Sequence, residues 1–146
     1  MGAKADLVNE QETILTGMDS IVIRNYLGGI MNGRTLDMTG FKQSVIKAGH
    51  IVIRDTENDT YKPMPVNSAG TAYDSLPSNH EYVGVVVCSK PADKPFVGIM
   101  YAGEVNDVAS PYSVDSIKAA LKTALPQLVF LLSLIHISEP TRLALI

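Results

Sequence analysis

The sequence predicts a mainly β, single-domain protein with one C-terminal helix, and three observations carry that prediction. Short runs rich in β-branched residues recur at Ser20–Tyr26, Val45–Arg54, Tyr82–Ser89 and Phe96–Tyr101, each bounded by Gly, Pro, Asn or Asp. Only one stretch has helical spacing: Val114, Ile117, Leu121 and Leu125. The residues before the apolar tail number about 130, enough for one domain to bury roughly two-thirds of its unfolded surface without staples.

Residues 1–19 are polar with little periodicity and read as a flexible N-terminal arm. The β-rich domain is expected over residues 20–131. Its first strand, Ser20–Tyr26, is expected to stop at Gly28-Gly29, and Asn32-Gly33 and Thr39-Gly40 mark tight turns after it. The strand Val45–Arg54 is expected to break at Ala48-Gly49. The turn Asp55–Thr60 follows, where short polar side chains bond their own backbone. Tyr61–Val66 carries two prolines, which confine it to an edge or an extended segment. After a Ser-, Gly- and Pro-rich loop over Asn67–Asn79, the apolar run Tyr82–Ser89 reads as a strand buried on both faces. Pro91–Lys94 turns the chain into the strand Phe96–Tyr101. Ser113 is placed to cap a helix over Ser113–Ala124, Asp115 to suit its first turn, and Lys118 and Lys122 to share its exposed face. Pro126 stops the helix, and Leu128–Leu131 returns as a final strand.

Composition excludes several function classes. A net charge of −3 leaves no basic field, which argues against direct nucleic-acid binding. The start of the chain has no apolar signal segment, and position 6 is Asp6 rather than the Ser or Thr that myristoylation favours. The longest apolar run, Leu125–Ile137, is too short to span a bilayer. The expectation is a soluble protein made in a reducing cytoplasm, without a membrane partner. The single cysteine, Cys88, cannot form an internal disulfide and reads as a small core residue after Val85–Val87.

The search for chemistry finds no dinucleotide, P-loop, zinc-protease or paired-cysteine motif. His50, in a strand, reads as a half-buried structural residue, and His80, at a loop end, as a solvated one. Asp55, Glu57 and Asp59 alternate as in a calcium loop but lack the Gly and distal Glu such a loop needs. Gly28-Gly29 could offer amides to an anion, but without a following helix it reads as a bend. No cofactor, no metal and no catalytic residue set is expected.

The tail has its own signature. Leu132–Arg142, LSLIHISEPTR, resembles the conceptual translation of a transposase-type sequencing-library adapter over eleven consecutive residues. The alternative is a native apolar strand with a polar end. On the adapter reading residues 132–146 stand outside fold reasoning, and His136 and Glu139 carry no chemistry.

From Ser20 to Phe130 the order of elements resembles phage head decoration and head fiber proteins of the lambda decoration type. The residues that carry the resemblance are Gly49 opening a strand, Tyr61–Pro65, Val83–Val85, Gly98–Met100, a Gly103–Asn106 turn and a closing helix. Each piece is strand-and-turn chemistry, and the order and spacing make the likeness. The resemblance implies a compact β-rich subunit that binds the major capsid protein of a tailed phage as a homotrimer on the capsid exterior. It implies a structural role in the virion and no catalysis. The alternative is a capsid-displayed head fiber module that binds a host-surface ligand or carbohydrate through Tyr61, Tyr73, Tyr82, Tyr101 and Tyr112. An isolated β-branched run points to the capsid contact: Ile21, Val22, Ile23, Arg24, Asn25 and Tyr26 are expected to be loosely ordered and to dock as an added strand. The competing reading makes this run the first strand of the core sheet.

Overall fold

The structure, a computed structural model, describes residue 17 and residues 19–131. The rest of the expected arm and the whole tail lie outside the described residues. The fold is mainly β. A six-stranded sheet has the order β1 (Ile23–Gly29), β9 (Ile99–Asn106), β6 (His80–Val86), β4 (Ile51–Asp55) and β5 (Thr60–Pro63), and β10 (Leu128–Leu131) also pairs with β9. Two small ribbons complete it, β2 (Arg34–Thr35) with β8 (Phe96–Val97) and β3 (Val45–Ile46) with β7 (Lys90–Pro91).

Alternation along β4 divides the core between the two faces of the sheet. Ile51 and Ile53 pack with Met64, Tyr82, Val85, Met100, Val105 and the helical Leu121, whereas Val52 packs with Leu36, Ile46, Val86, Val97 and Ile99. The β4–β5 hairpin is in register from Val52↔Pro63 to Asp55↔Thr60, so the two-proline segment is an edge strand as expected. Its turn forms because the Asp55 carboxylate accepts the backbone N–H groups of Glu57 and Asn58, and Asp59 takes a positive φ. Those bonds, the Glu57 amide first, hold the Asp55 carboxyl below its usual range.

The C-terminal helix is shorter than expected. A 3-10 turn over Asp115–Ile117 leads into α2 (Lys118–Ala124), and Ser113 Oγ accepts the Asp115 amide at 3.3 Å. Val114, Ile117 and Leu121 are buried, as their spacing requires. Lys118 leaves its expected solvent role to donate to Asp107 at 2.9 Å. After Pro126 the chain re-enters the sheet as β10, parallel to β9.

Three expectations are corrected. The run Ser20–Tyr26 is not one strand: Asp19–Val22 form a helical turn, α1, and β1 begins at Ile23. The Asp19 carboxylate accepts the Ser89 amide and hydroxyl at 2.9 and 2.8 Å, which ties that turn to the chain leaving β6. β1 does stop at Gly28-Gly29, its last two residues, as expected. A Cβ on Gly29 would meet the Ile99 carbonyl and the Tyr26 hydroxyl, so a side chain is forbidden there, whereas one on Gly28 would make only ordinary contact with the Tyr101 ring. Gly103–Asn106 is strand rather than turn, since Gly103, at φ +148, lets Asn25 O approach where any Cβ would collide. Cys88 is exposed. The chain bends out of the sheet at Val87–Cys88, and Ser89 turns inward to accept the Ala48 amide and donate to Asp19.

Candidate interaction surface

The six residues expected to reach a capsid divide between two elements. Val22 is buried at 3% and packs over Gly49, and Ile21 is exposed beside it. Ile23, Arg24, Asn25 and Tyr26 belong to β1, in antiparallel register with β9 from Ile23↔Val105 to Gly29↔Met100. The expectation of a loosely ordered strand without a partner is therefore corrected. The partner lies some 80 positions on in the chain, at a distance that local pattern cannot reveal.

What remains of that expectation is an edge. β1 is the terminal strand of the sheet, and no strand pairs with its outer side among the described residues. Its register shifts between Ile23 and Asn25 and again between Tyr26 and Gly28, leaving Leu27 as the extra residue of a bulge. Tyr26 and Leu27 are 53% and 69% exposed.

A second feature is a fork inside the sheet. β6 pairs with β4 down to His80, but with β9 only at Val85 and Val86. Further along, β9 takes β10 as its partner, from Gly103 to Asn106. An open groove of ≈ 400 Å³ fills the gap, lined by Ile30, Val83, Tyr101, Leu125, Pro126 and Gln127 among others. At one end stands a row across three strands, Glu81, Arg54 and Tyr61, placed side by side by the registers Arg54↔Glu81 and Arg54↔Tyr61. The Arg54 guanidinium donates to Glu81 at 2.6 Å and to Asp59 at 2.6 Å, bonds that raise its pKa, the Asp59 bond first. The Arg34 guanidinium lies 5.4 Å from the centre of the Tyr61 ring.

The five tyrosines expected to share one face do not. Tyr61 and Tyr101 line the fork, Tyr82 lines it too but is largely buried in the core, and Tyr73 and Tyr112 stack edge-on with His50 at 5.3 and 5.5 Å. Phe41 closes that aromatic cluster at 5.7 Å. His50 is more deeply buried than expected. Burial lowers its pKa to about 4, so at neutral pH the ring is uncharged, with Nε2 3.1 Å from the Met64 carbonyl. His80 Nδ1 lies 2.7 Å from Ser78 O, while its Nε2 is buried without a hydrogen bond, unlike the solvated ring expected. Asp55, Glu57 and Asp59 are engaged or dispersed by the hairpin turn. No group of three His, Cys, Asp or Glu side chains able to hold a metal occurs among the described residues. No described helix is long and apolar enough to cross a membrane.

Sequence reasoning missed Leu27, Ile30, Pro126 and Gln127. Only the pairing of β1 and the parallel return of β10 bring them to these surfaces, and no local motif marks them. Neither a family model, nor a curated protein, nor a solved structure matches this chain.

Proposed function

We propose that this protein is a structural accessory subunit of a tailed-phage capsid, a head decoration or head fiber subunit that binds the assembled shell and stabilises it without catalysis. The observation that carries the reading is the outer edge of β1, which offers strand hydrogen bonds flanked by the exposed Tyr26 and Leu27. In this form of the proposal β1 stays in its own sheet, and a segment of the major capsid protein adds to its outer side, where no strand pairs among the described residues. Strand addition gives directional backbone bonds while asking little of side-chain identity. The order of elements from Ser20 to Phe130 supports the same reading through its resemblance to decoration and head fiber proteins. A trimer at a capsid symmetry axis raises the effective concentration of each further contact to about the millimolar range, so three weak edges hold where one would not. The protein would then be made in the host cytoplasm and reside on the capsid exterior.

The test is co-sedimentation with purified capsids of the source phage. Leu27→Pro removes an amide from the bulge, and Tyr26→Asp puts a charge on the same edge. Each is expected to weaken shell binding at least roughly tenfold while the subunit keeps its melting transition. Undiminished binding by both variants would remove β1 as the docking edge. Failure of the unaltered protein to bind any shell would remove the capsid reading itself. Sedimentation of the free protein over a concentration series is expected to show monomer and trimer. A clean dimer contradicts the proposed assembly.

A further inference from the structure

We infer that residues 39–43 form a proton-released strap: acid frees this segment from His50 while the main sheet stays folded. The inference concerns the isolated protein and does not rest on the capsid reading.

The strap is tied at both ends and held in the middle by one side chain. Before it, the Asp37 amide donates to Tyr61 O at 2.8 Å, and after it Ser44 O accepts the Ala92 amide at 2.8 Å. Between these ties the hydrogen bonds among the described residues are local, Thr39 N–H to Asp37 Oδ1 at 3.1 Å and Phe41 N–H to Met38 O at 2.9 Å. Gly40, at φ +82, has open space where a Cβ would be. Of the five residues only Phe41 is half-buried, and the others are exposed. Its side chain packs against the core beside Leu36 and Ile46 and meets the His50 ring at 5.7 Å. The other rings around His50 sit on better-tied loops. Tyr73 Oη accepts the Ile51 amide at 3.1 Å, Tyr73 N–H donates to Ser113 O at 3.4 Å, and Ser113 N–H, next to Tyr112, donates to Thr71 O at 3.3 Å. The strap is the weakest wall of the imidazole site.

A charged His50 would find no anion here. Nε2 lies 3.1 Å from Met64 O, which can only accept, so Nε2 carries the proton of the neutral ring and Nδ1 takes the second. A cavity of ≈ 220 Å³ is lined by His50, Phe41, Gln43, Lys47 and Tyr112 among others, and its charged member, Lys47, is a cation. Phe41 also lines the neighbouring cavity, where Asp37 stands with Lys42 and Lys62. The Thr39 bonds hold the Asp37 carboxyl below its usual range, so it stays charged as His50 titrates. Asp107, on the loop leading to Tyr112, is paired with Lys118, and Asp74, beside Tyr73, is exposed. The Tyr73 hydroxyl, pushed up by burial, stays neutral. Burial accordingly lowers the His50 pKa to about 4. A protonated ring in this setting needs water, and release of the strap admits it while breaking the fewest bonds. With the wetted ring titrating near its usual 6.5, the opening constant rises roughly twentyfold between pH 7 and pH 5.

The test is an NMR titration of the labelled protein from about pH 7.5 to about pH 4, following the His50 ring carbons and the backbone amides together. The amides of Gly40, Phe41, Lys42 and Gln43 are expected to move to disordered-chain positions with the midpoint of the His50 ring, while those of Ile53, Val85 and Met100 stay in place. His50→Gln is expected to keep the strap closed throughout, and His80→Gln to leave the response intact. Linkage makes the effect reciprocal, so Phe41→Ala is expected to free the strap at neutral pH and to raise the His50 midpoint by about one unit or more. That second variant decides the matter even where His50→Gln does not fold. Strap amides that stay in place as His50 titrates overturn the inference, as does the same movement in His50→Gln, its loss in His80→Gln, or an unchanged His50 midpoint in Phe41→Ala. Loss of the sheet amides at the same midpoint makes the event global unfolding and overturns it too.

Discussion

The two halves of the main sheet are built differently. On one side β5, β4 and β6 form an antiparallel unit with a single register shift, between Val52 and Ile53, where Arg54 meets Tyr61 on one neighbour and Glu81 on the other. On the other side β1, β9 and β10 assemble from opposite ends of the chain, through bulges, glycines and a parallel return. In the first half the alternation of side chains suffices to specify pairing. In the second half, closing the long loop between Ile23 and Val105 costs entropy that side-chain pattern alone does not offset, and close backbone approach over Gly29 and Gly103 makes the fit specific. The outer edge of β1, unpaired among the described residues, belongs to the non-local half, and the β6–β9 fork lies where the two halves join.

The sharpest way to break this comparison is to remove the non-local half's first strand. Deleting residues 2–26 takes away α1, the buried Val22 and half of β1, and is expected to leave no cooperative unfolding transition. That is a loss comparable to the roughly 5–15 kcal/mol of a typical domain. A truncated protein that still melts cooperatively near the parent temperature would show β1 to be an accessory to a core that closes without it.

The junction of the halves comes next. A Cβ on Gly84 would meet the Met100 carbonyl and the Ile99 side chain where β6 crosses to β9. Gly84→Val is expected to cost about 3 kcal/mol or more, because a backbone carbonyl cannot move aside as a side-chain tip can. Gly84→Val matching the parent's urea midpoint would mean that the junction is looser than its geometry implies. Beside it, Ile99 and Val85 are almost wholly buried, on opposite faces. Ile99→Ala or Val85→Ala should each cost about 2–4 kcal/mol in a denaturant titration.

Acid provides a gentler probe of the first half. His50 leads into β4, and burial holds its folded-state pKa at about 4, below the unfolded value near 6.5. Between those values the unfolded chain binds the proton first, so stability is full above the unfolded pKa and falls as pH drops toward about 4. The loss from this group should be roughly 2 kcal/mol between about pH 7 and pH 5, read from urea midpoints. His50→Gln, which retains a donor for Met64 O, is expected to flatten that slope, and an unchanged slope would assign the acid sensitivity to other groups. The smallest effect is expected at Thr56→Ala in the β4–β5 turn, where the hydroxyl bonds Asn79 O in an exposed setting. Less than about 0.5 kcal/mol is expected there, and a cost equal to that of Ile99→Ala would upset the division into core and turn.

Much of the first half is legible without a structure. The break at Ala48-Gly49, the polar turn after Asp55, the edge status of the two-proline strand and the helix spacing from Val114 to Leu125 all follow from local rules of pattern and turn chemistry. The places where reading fails share a cause. Gly103–Asn106 looks like a turn because it opens on a glycine. Its place in a strand appears only when Asn25 O closes on Gly103. Cys88 looks like core because it follows three valines, but Val87–Cys88 bends out of the sheet and Ser89 takes the inward place to meet Asp19, 70 residues away. The candidate surfaces are only half legible: the run Ile21–Tyr26 stands out with two readings, an added docking strand or the first strand of the core sheet, and only its pairing with β9 chooses the second for Ile23–Tyr26.

By itself, then, the sequence determined the mainly β class, the hairpin and its turn, the C-terminal helix and the identity of most buried aliphatic residues. Side-chain period and turn preference act within a few residues, and need no partner to be read. Tertiary structure alone decided which strand β1 joins, that β9 changes partner from β6 to β10, and hence that a groove opens beside Glu81 and Tyr101. Those outcomes depend on backbone surfaces meeting across most of the chain. There the free energy of a contact belongs to the pair, and neither member's local sequence contains it.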